Sequence, residues 1–395
     1  MEEKIRRSRE RLSFIRGVLT ALAVVAVIYF ASMALPVGGY PKKPGTLQSL
    51  RKAKEIERII QNYYMGDIDE QQQTEFMYVG QVAGLGDDYS TYYTAEQYQS
   101  IQRNQAGAFM GIGISIAASE EDEEYLVITE CQEDYPAILA GVMPEDVILE
   151  INGESVKGKT SSEAAAMIQS SENNVVHLKL RRKGQKDPLD FDIEMTEMEK
   201  ISVTGEMLED SIGYIRISHF TGVTANQFKT VYGELKIQGL KRLIIDLRNN
   251  PGGLVDSVCD TARQILPEGV IVYTVDKDGK ESERTCDGVN MIDIPLVVMV
   301  NEKSASASEI FAGAVQDYRV GTIVGVPTFG KGIVQDAFRL SDGSYLRLTV
   351  SHYFTPARND IHKVGIKPDV LANQPEDADH DVQLEKALAA IKLMK

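Results

Sequence analysis

The stretch "IPLVVMVNEKSASASEIFAG", from Ile294 to Gly313, runs from an apolar segment through alternating serines and alanines into a helical pattern. The apolar segment is typical of a buried strand, and the spacing that follows is typical of a helix. Ser306 and Glu309 also fit a capping box, in which a serine hydroxyl and a glutamate cap the first amides of a helix. The stretch therefore predicts a strand that leads directly into a helix.

The same alternation of strand and helix recurs on both sides of this stretch. Strand-like segments such as "IGYIRISHF", "RLIIDLR" and "GTIVGV" are separated by helical patterns that begin near Thr224 and Gly253. Such alternation favours a layered α/β domain. We assign this domain to residues 197–375 and a final helix to residues 376–395.

The serines at this junction, Ser304, Ser306 and Ser308, are candidates for a nucleophile. They stand at the carboxyl edge of a strand, where α/β folds collect their binding and catalytic groups. The small alanines around them leave room for a substrate carbonyl, and a helix N-terminus supplies free N–H groups for a developing oxyanion. A purely structural capping role is the alternative.

A serine hydroxyl needs a base, and the residues alone leave several candidates open. His219 follows a strand, His352 lies in a later strand, and Lys331 lies between two glycines in "TFGKGIVQ". Burial lowers the pKa of a lysine, and only a neutral amine can accept the serine proton. A simple surface charge is the alternative for Lys331.

Short strands predominate between residues 105 and 196, and the stretch "PAILAGVMPEDVILEINGESV" resembles a PDZ domain. The resemblance implies that an extended peptide adds to a sheet edge while backbone N–H groups of a glycine-containing loop receive its terminal carboxylate. The matching loop consists of Gly111, Ile112, Gly113 and Ile114. The alternative is that these glycines only relieve crowding between strands.

The N-terminus predicts a membrane anchor. Residues 17–35 carry no charge and are long enough to span a bilayer, whereas residues 1–16 are rich in lysine and arginine. The positive-inside rule then places residues 1–16 in the cytoplasm and the rest of the chain outside the cell membrane. A cleaved signal peptide is the alternative.

Residues 36–104 are assigned to a linker and a helical region, with Thr94 and Gln97 as a capping box.

Composition excludes several classes of protein. The chain of 395 residues has a formal net charge of -16, which argues against nucleic acid as a partner because such a partner requires a basic surface. Its three cysteines and five histidines form no spacing typical of a metal site. We therefore expect no metal and no cofactor.

Four motifs, "DLRNNPGGL", "NEKSASASEI", "TFGKGIVQ" and "GIKPDV", together resemble the carboxy-terminal processing, or tail-specific, proteases of peptidase family S41, which also carry a PDZ domain. The resemblance implies a crotonase-like α/β core with Ser306 as nucleophile and Lys331 as general base. It further implies that Gln335 orients the amine and that the N–H groups of Ala307 and Gly252 form the oxyanion hole. Glu309 shares the helix face of the serine and is a candidate supporting residue.

The sequence thus predicts an α/β multidomain protein that acts as a membrane-anchored serine endopeptidase on exported proteins. The family resemblance implies unstructured carboxyl-terminal tails as substrates and a homodimer formed through the helical region. A trypsin-like protease is disfavoured because no "GNSGG"-like run precedes the PDZ segment. A catalytically inactive, exported PDZ scaffold remains the alternative.

Overall fold

The computed structural model describes residues 46–119, 122, 124–375 and 377–394. The predicted cytoplasmic tail at residues 1–16 and the predicted membrane anchor at residues 17–35 lie outside these residues. Within the described ranges, no helix is both long enough and apolar enough to cross a membrane.

The chain divides into two compact units, Met1–Thr74 and Glu75–Lys395. Helix α1 (Thr46–Tyr63) belongs to the first unit and leaves Leu50 and Ile56 half exposed. Helix α2 (Glu70–Ala83) follows it in the chain.

The region predicted as helical also contains a short strand, β1 (Thr91–Tyr93), which the sequence does not predict. Helix α3 (Ala95–Ala106) follows β1 and begins at the predicted capping box, in which Gln97 N donates to Thr94 Oγ1 at 3.2 Å. Strand β1 is too short to show a period, and partners elsewhere in the chain decide its conformation.

The β-rich module predicted from the PDZ resemblance follows. Its main sheet has the strand order β3–β4–β5–β7–β8 with β6 beside β5, while β2 pairs with β9. Ile128, Ile148 and Leu178 are among the buried side chains of its core. Its elements are β2 (Ala108–Gly111), β3 (Ile114–Ala118), β4 (Leu126–Cys131), α4 (Pro136–Leu139), β5 (Val147–Ile151), β6 (Glu154–Ser155), α5 (Ser161–Gln169), β7 (Val175–Arg181), β8 (Leu189–Glu194) and β9 (Thr196–Glu199).

A six-stranded sheet with the order β10–β11–β12–β15–β16–β19 forms the centre of the α/β domain. All neighbouring pairs are parallel except β10 with β11. Its strands are β10 (Val203–Leu208), β11 (Ile212–Ile217), β12 (Arg242–Asp246), β15 (Leu296–Val300), β16 (Thr322–Gly325) and β19 (Val370–Leu371). The helices are α6 (Thr224–Ile237), α7 (Val255–Ala262), α8 (Ala307–Asp317) and α9 (Val382–Leu393).

Both faces of the central sheet are covered, which confirms the predicted layered α/β architecture. Ile245 and Val298 pack in one core with residues of α6, α7 and α8, whereas Ile244 and Val297 pack in another core with residues of α9. Successive residues of a strand point to opposite faces, so the apolar runs of β12 and β15 supply both cores.

A second sheet contributes the loop that carries Lys331. It has the order β1–β18–β13–β14, and β17 also pairs with β18. Its remaining strands are β13 (Gly269–Asp276), β14 (Glu281–Cys286), β17 (Ile333–Arg339) and β18 (Tyr345–Phe354). Candidate residues are therefore contributed from two places: the carboxyl ends of β12 and β15, and the segment that leads into β17.

Candidate active site

Ser304 and Ser308, two of the three alternating serines, join the loop that follows β15 to the loop that follows β12 by hydrogen bonds. Ser304 Oγ donates to Leu247 O at 2.8 Å and accepts from Asn301 N at 2.9 Å. Ser308 Oγ donates to Asn250 O at 2.9 Å. Both serines are fully buried, so their hydroxyls replace the hydrogen bonds that water would make with these backbone groups.

Asn250 extends this bracing to a third loop. Its Nδ2 donates to Ile217 O at 2.9 Å, its Oδ1 accepts from Gly252 N at 2.9 Å, and its carbonyl accepts from Ala305 N at 3.0 Å. The side chain is fully buried. A buried amide with all of these partners fixes the positions of the loops after β11, β12 and β15 relative to one another.

Ser306 lies between the two bracing serines in a strained backbone conformation. Its φ of 55° and ψ of -114° lie in a region that non-glycine residues rarely adopt. Such a conformation costs about 1–3 kcal/mol and persists only where the surroundings enforce it. The hydroxyl of the buried Tyr353 donates to Ser306 O at 3.0 Å and helps to enforce it.

Glu309 joins the serine loop to the lysine loop. Its Oε2 accepts from Ser306 N at 2.8 Å and from Lys331 N at 2.9 Å. Its Oε1 accepts from Thr328 Oγ1 at 2.6 Å and from Gly330 N at 2.7 Å. This carboxylate is fully buried, and four donors offset the cost of its burial. The predicted supporting residue therefore fixes the backbones of Ser306 and Lys331 at one carboxylate.

The Lys331 side chain is half buried, and its Nζ lies 4.4 Å from the centroid of the Tyr89 ring. Burial is the main cause that lowers its pKa, and the neighbouring Arg347 charge lowers the pKa further. Asp87 and Glu309 act in the opposite direction. Among the described residues, no hydrogen bond joins Lys331 Nζ to Ser306 Oγ. The two residues are thus brought together through their backbones, and the amine rests on an aromatic ring.

Gln335 lies in β17, where its Nε2 donates to Thr349 Oγ1 at 3.4 Å. The pairing of β17 with β18 shifts register between Val334 and Gln335, where Val350 of β18 is the extra residue. The part of Gln335 in orienting the amine stays a prediction.

The two predicted oxyanion donors differ in availability. Gly252 has a φ of 104°, and a Cβ on it would lie 2.9 Å from both Ala307 N and Ser306 Cβ. Its own N–H is already donated to Asn250. Within the part of the chain that the structure describes, the N–H groups of Ala307 and Gly253 have no protein acceptor. Ala307 is the first residue of α8, so its N–H also lies at the positive end of the helix dipole.

The two histidine candidates differ from Lys331 in their surroundings. His219 is exposed, and His352 is exposed and lies edge-on to His362 with 5.4 Å between ring centroids. Over the described residues, no histidine ring is hydrogen-bonded to Ser306. Lys331 is the only one of the three base candidates whose residue shares a hydrogen-bond acceptor with the serine residue.

Comparison with known proteins identifies the family. Residues 211–372 match the model of "Peptidase family S41", and residues 127–182 match that of the "PDZ domain". The chain is 38% identical over 299 residues to the "Carboxyl-terminal-processing protease" of Synechocystis sp., an alignment that covers 74% of this chain and 70% of that protein. The chain belongs to the carboxyl-terminal-processing serine proteases.

Two further proteins are similar to this chain. A "Probable CtpA-like serine protease" of Staphylococcus aureus is 31% identical over 369 residues, which is 92% of this chain and 73% of that protein. The solved structure of the photosystem II D1 C-terminal processing protease is 30% identical and covers 86% of this chain and 90% of that one, with a TM-score of 0.48.

The predicted carboxylate loop of the processing protease connects β2 to β3. Ile112 is buried, and its carbonyl accepts from Ala137 N at 2.9 Å. Gly113 has a φ of 84°, and a Cβ on it would lie 2.3 Å from Tyr135 Cβ. Gly111 ends β2 and Ile114 begins β3, so the loop contains only the two residues between them. Carboxylate capture by this loop stays a prediction.

Sequence reasoning missed three residues of the protease site: Asn250, Tyr353 and Tyr89. Asn250 carried a signal, because an asparagine pair directly after the apolar strand of "RLIIDLRNN" is suited to bracing a loop. Tyr353 and Tyr89 carried none. Each reaches the site from a strand or loop that is distant in the sequence.

Proposed function

We propose that the chain is a membrane-anchored serine endopeptidase that cuts exported proteins near unstructured, apolar carboxyl termini, with Ser306 as nucleophile and Lys331 as general base. One observation carries this proposal: Glu309 Oε2 accepts from the backbone N–H groups of both residues, at 2.8 Å and 2.9 Å. The lowered pKa of Lys331 supports the assignment, because a base must reach its neutral form.

In the proposed reaction, Ser306 Oγ attacks the scissile carbonyl and transfers its proton to the neutral amine of Lys331. The N–H group of Ala307, with one from the turn at Gly252 and Gly253, stabilises the oxyanion. The lysine ammonium then protonates the leaving amine, and water hydrolyses the acyl-enzyme. The amine has to move from the Tyr89 ring to the serine before the first step, and Gln335 is proposed to orient it there.

Turnover of an unfolded protein tests the dyad. Full-length protein and its Ser306→Ala and Lys331→Ala variants are incubated with fluorescently labelled β-casein. Both variants are expected to lose turnover by about a thousandfold or more, because the nucleophile and its base act as a unit. The control is Lys303→Ala, which removes an exposed lysine from the serine loop. Unchanged turnover in both variants refutes the dyad. A wild type no faster than Ser306→Ala supports the inactive PDZ scaffold.

Tail capture by the PDZ module is the second part of the proposal. Strand β3 is at the edge of its sheet, so the backbone groups that do not face β4 can pair with an added strand. A peptide with an apolar terminus and a free carboxylate is expected to bind at least about tenfold more tightly than its carboxamide, since capture depends on the anion. Equal affinities measured by fluorescence anisotropy contradict this mode of binding.

The location and assembly of the protein complete the proposal. The apolar segment at residues 17–35 supports a single membrane anchor with the catalytic domain outside the cytoplasm. The exposed apolar side chains of α1, among them Leu50, Ile56 and Ile59, support a homodimer. Digestion of the catalytic domain by protease added to intact spheroplasts tests the location outside the cytoplasm. Comparison of the sedimentation of wild type with that of Ile56→Glu tests the homodimer.

A further inference from the structure

A nine-residue segment between α2 and α3, Gly86–Thr94, reaches into the catalytic domain, and we call it the strap. Its strand β1 pairs antiparallel with β18, where Thr91 faces Arg347. Its Ser90 Oγ accepts from Thr349 N at 3.1 Å. The strap is therefore fixed to the strand that also contacts Gln335.

The strap presents two aromatic faces to two neighbouring cations. Lys331 Nζ lies 4.4 Å from the centroid of the Tyr89 ring, and the guanidinium carbon of Arg347 lies 5.1 Å from that of Tyr93. A cation is attracted to the face of an aromatic ring, and more strongly where water is excluded. The Tyr89 ring thus stabilises the ammonium form of Lys331.

This interaction opposes the task that the proposed function gives to Lys331. A general base must be neutral and within hydrogen-bond reach of its proton, about 2.6–3.2 Å. On the Tyr89 ring, the amine is stabilised in its charged form and makes no hydrogen bond to Ser306 among the described residues.

We propose that Tyr89 is a positioning residue that holds the Lys331 ammonium at rest, and that the strap controls assembly of the dyad by keeping or releasing this amine. The inference rests on the proposed function, since it assigns a resting state to the same base. The charged groups that act on Lys331 or Tyr89 are Arg347, Asp87, Asp88 and Glu309.

Gln335 is also coupled to the strap, through the hydrogen bonds of Thr349, whereas Lys331 is coupled to it through the Tyr89 ring. Its backbone N–H donates to Ser90 Oγ in the strap, and its Oγ1 accepts from Gln335 Nε2 at 3.4 Å. A shift of the strap along β18 therefore disturbs the resting contacts of Lys331 and of Gln335 together. One movement would free the amine and the residue proposed to orient it.

Titration of the amine tests the resting state without any need for turnover. The lysine Cε carbons are labelled with ¹³C in full-length Ser306→Ala protein, and the Lys331 signal is assigned by its loss in Lys331→Ala. Tyr89→Leu is expected to lower the midpoint of this signal by about one pH unit, because the ring no longer stabilises the ammonium. Tyr89→Phe keeps an aromatic face and is expected to keep the midpoint.

The matched control is Tyr232→Leu, which removes the ring that lies 5.0 Å from Lys236 Nζ, a tyrosine–lysine pair outside the site. It should leave the Lys331 midpoint in place. Ser90→Ala is a second variant that loosens the strap without removing the ring. Its midpoint should move in the same direction as in Tyr89→Leu, by about half as much. An unchanged midpoint in both Tyr89→Leu and Ser90→Ala overturns the inference.

The rate of β-casein cleavage as a function of pH supplies the functional test. Tyr89→Leu is expected to shift the acidic limb of kcat/KM to lower pH and to raise kcat/KM at pH 7 by about five- to tenfold, with Tyr89→Phe within about twofold of wild type. Loss of activity in Tyr89→Leu with an unmoved acidic limb indicates a merely structural role and overturns the inference alone. Full activity of Lys331→Ala overturns the proposed function and this inference with it.

Discussion

The loops that carry Ser306 and Lys331 are held in different ways. Around the serine, buried hydrogen bonds from Ser304, Ser308 and Tyr353 fix the backbone. Around the lysine, the backbone is fixed by Glu309, whereas the side-chain amine lies on the face of the Tyr89 ring. The difference is consistent with the proposal that Ser306 is a fixed nucleophile and Lys331 a base that can move, and it makes the lysine side chain the proposed point of control.

After the dyad variants themselves, removal of Glu309 is expected to have the largest effect, because its carboxylate accepts hydrogen bonds from the backbones of both loops. Glu309→Ala leaves four donors without their acceptor in a buried site. The free energy of unfolding in urea should fall by about 3 kcal/mol or more, and turnover of β-casein by about a hundredfold or more. The nearby Glu302→Ala removes an exposed carboxylate and should change neither quantity.

Glu309→Gln tests whether both oxygens of this side chain are needed. An amide has only one oxygen, so it can accept either from the Ser306 and Lys331 pair or from the Thr328 and Gly330 pair. Turnover should therefore lie between those of wild type and Glu309→Ala. Wild-type turnover in Glu309→Gln would show that the carboxylate does not hold the two loops together.

Gly252→Ala tests whether the serine loop has to keep its position. The new methyl group would lie 2.7 Å from Ala305 O and 2.9 Å from Ala307 N, so the serine loop has to shift. A displacement of about 1 Å at the proposed nucleophile can cost about a hundredfold in kcat, and we expect a loss of this order. The control is Gly239→Ala, at a glycine with a φ of 90° and open space around it, which carries the backbone strain without the collision. Equal losses of kcat in both variants would contradict the steric explanation.

Tyr353→Phe should have a smaller effect, since it removes only one hydrogen bond to the Ser306 carbonyl. Burial raises the pKa of Tyr353, which keeps the hydroxyl protonated as a donor. We expect a loss of about 1 kcal/mol in the free energy of unfolding and a severalfold fall in kcat. Tyr318→Phe removes an equivalent bond, to Val270 O at 2.9 Å, and should cost similar stability with no change in kcat. A similar fall in kcat for both variants argues against a specific role for Tyr353.

The sequence predicted the elements of this site better than its contacts. The apolar run before Asn301 and the spacing from Ser306 to Glu309 are local patterns, so the strand, the helix and the candidate serine could be predicted. The strap could not, because a strand as short as β1 has no period and is specified by its pairing with β18. The contact of Gln335 with Thr349 could not be predicted either, since it depends on the register of β17 with β18, which shifts at an extra residue in β18.

The smallest expected effect is the change in thermal stability when the buried charge of Lys331 is removed. The pKa of Lys331 is lower in the folded protein than the ordinary value of ~10.4, mainly because of burial. Between the two values the unfolded chain binds more protons than the folded protein. The stability penalty of the buried charge is therefore fully present below the folded pKa and disappears as the pH rises to the unfolded value. Lys331→Met removes the buried charge and should raise Tm at pH 7, and the difference from wild type should shrink as the pH approaches 10.4. Exposed Lys229 gives the control, since Lys229→Met should show no such trend. A pH-independent difference in Tm for Lys331→Met would mean that packing, rather than the charge of the resting amine, sets the stability of the lysine loop.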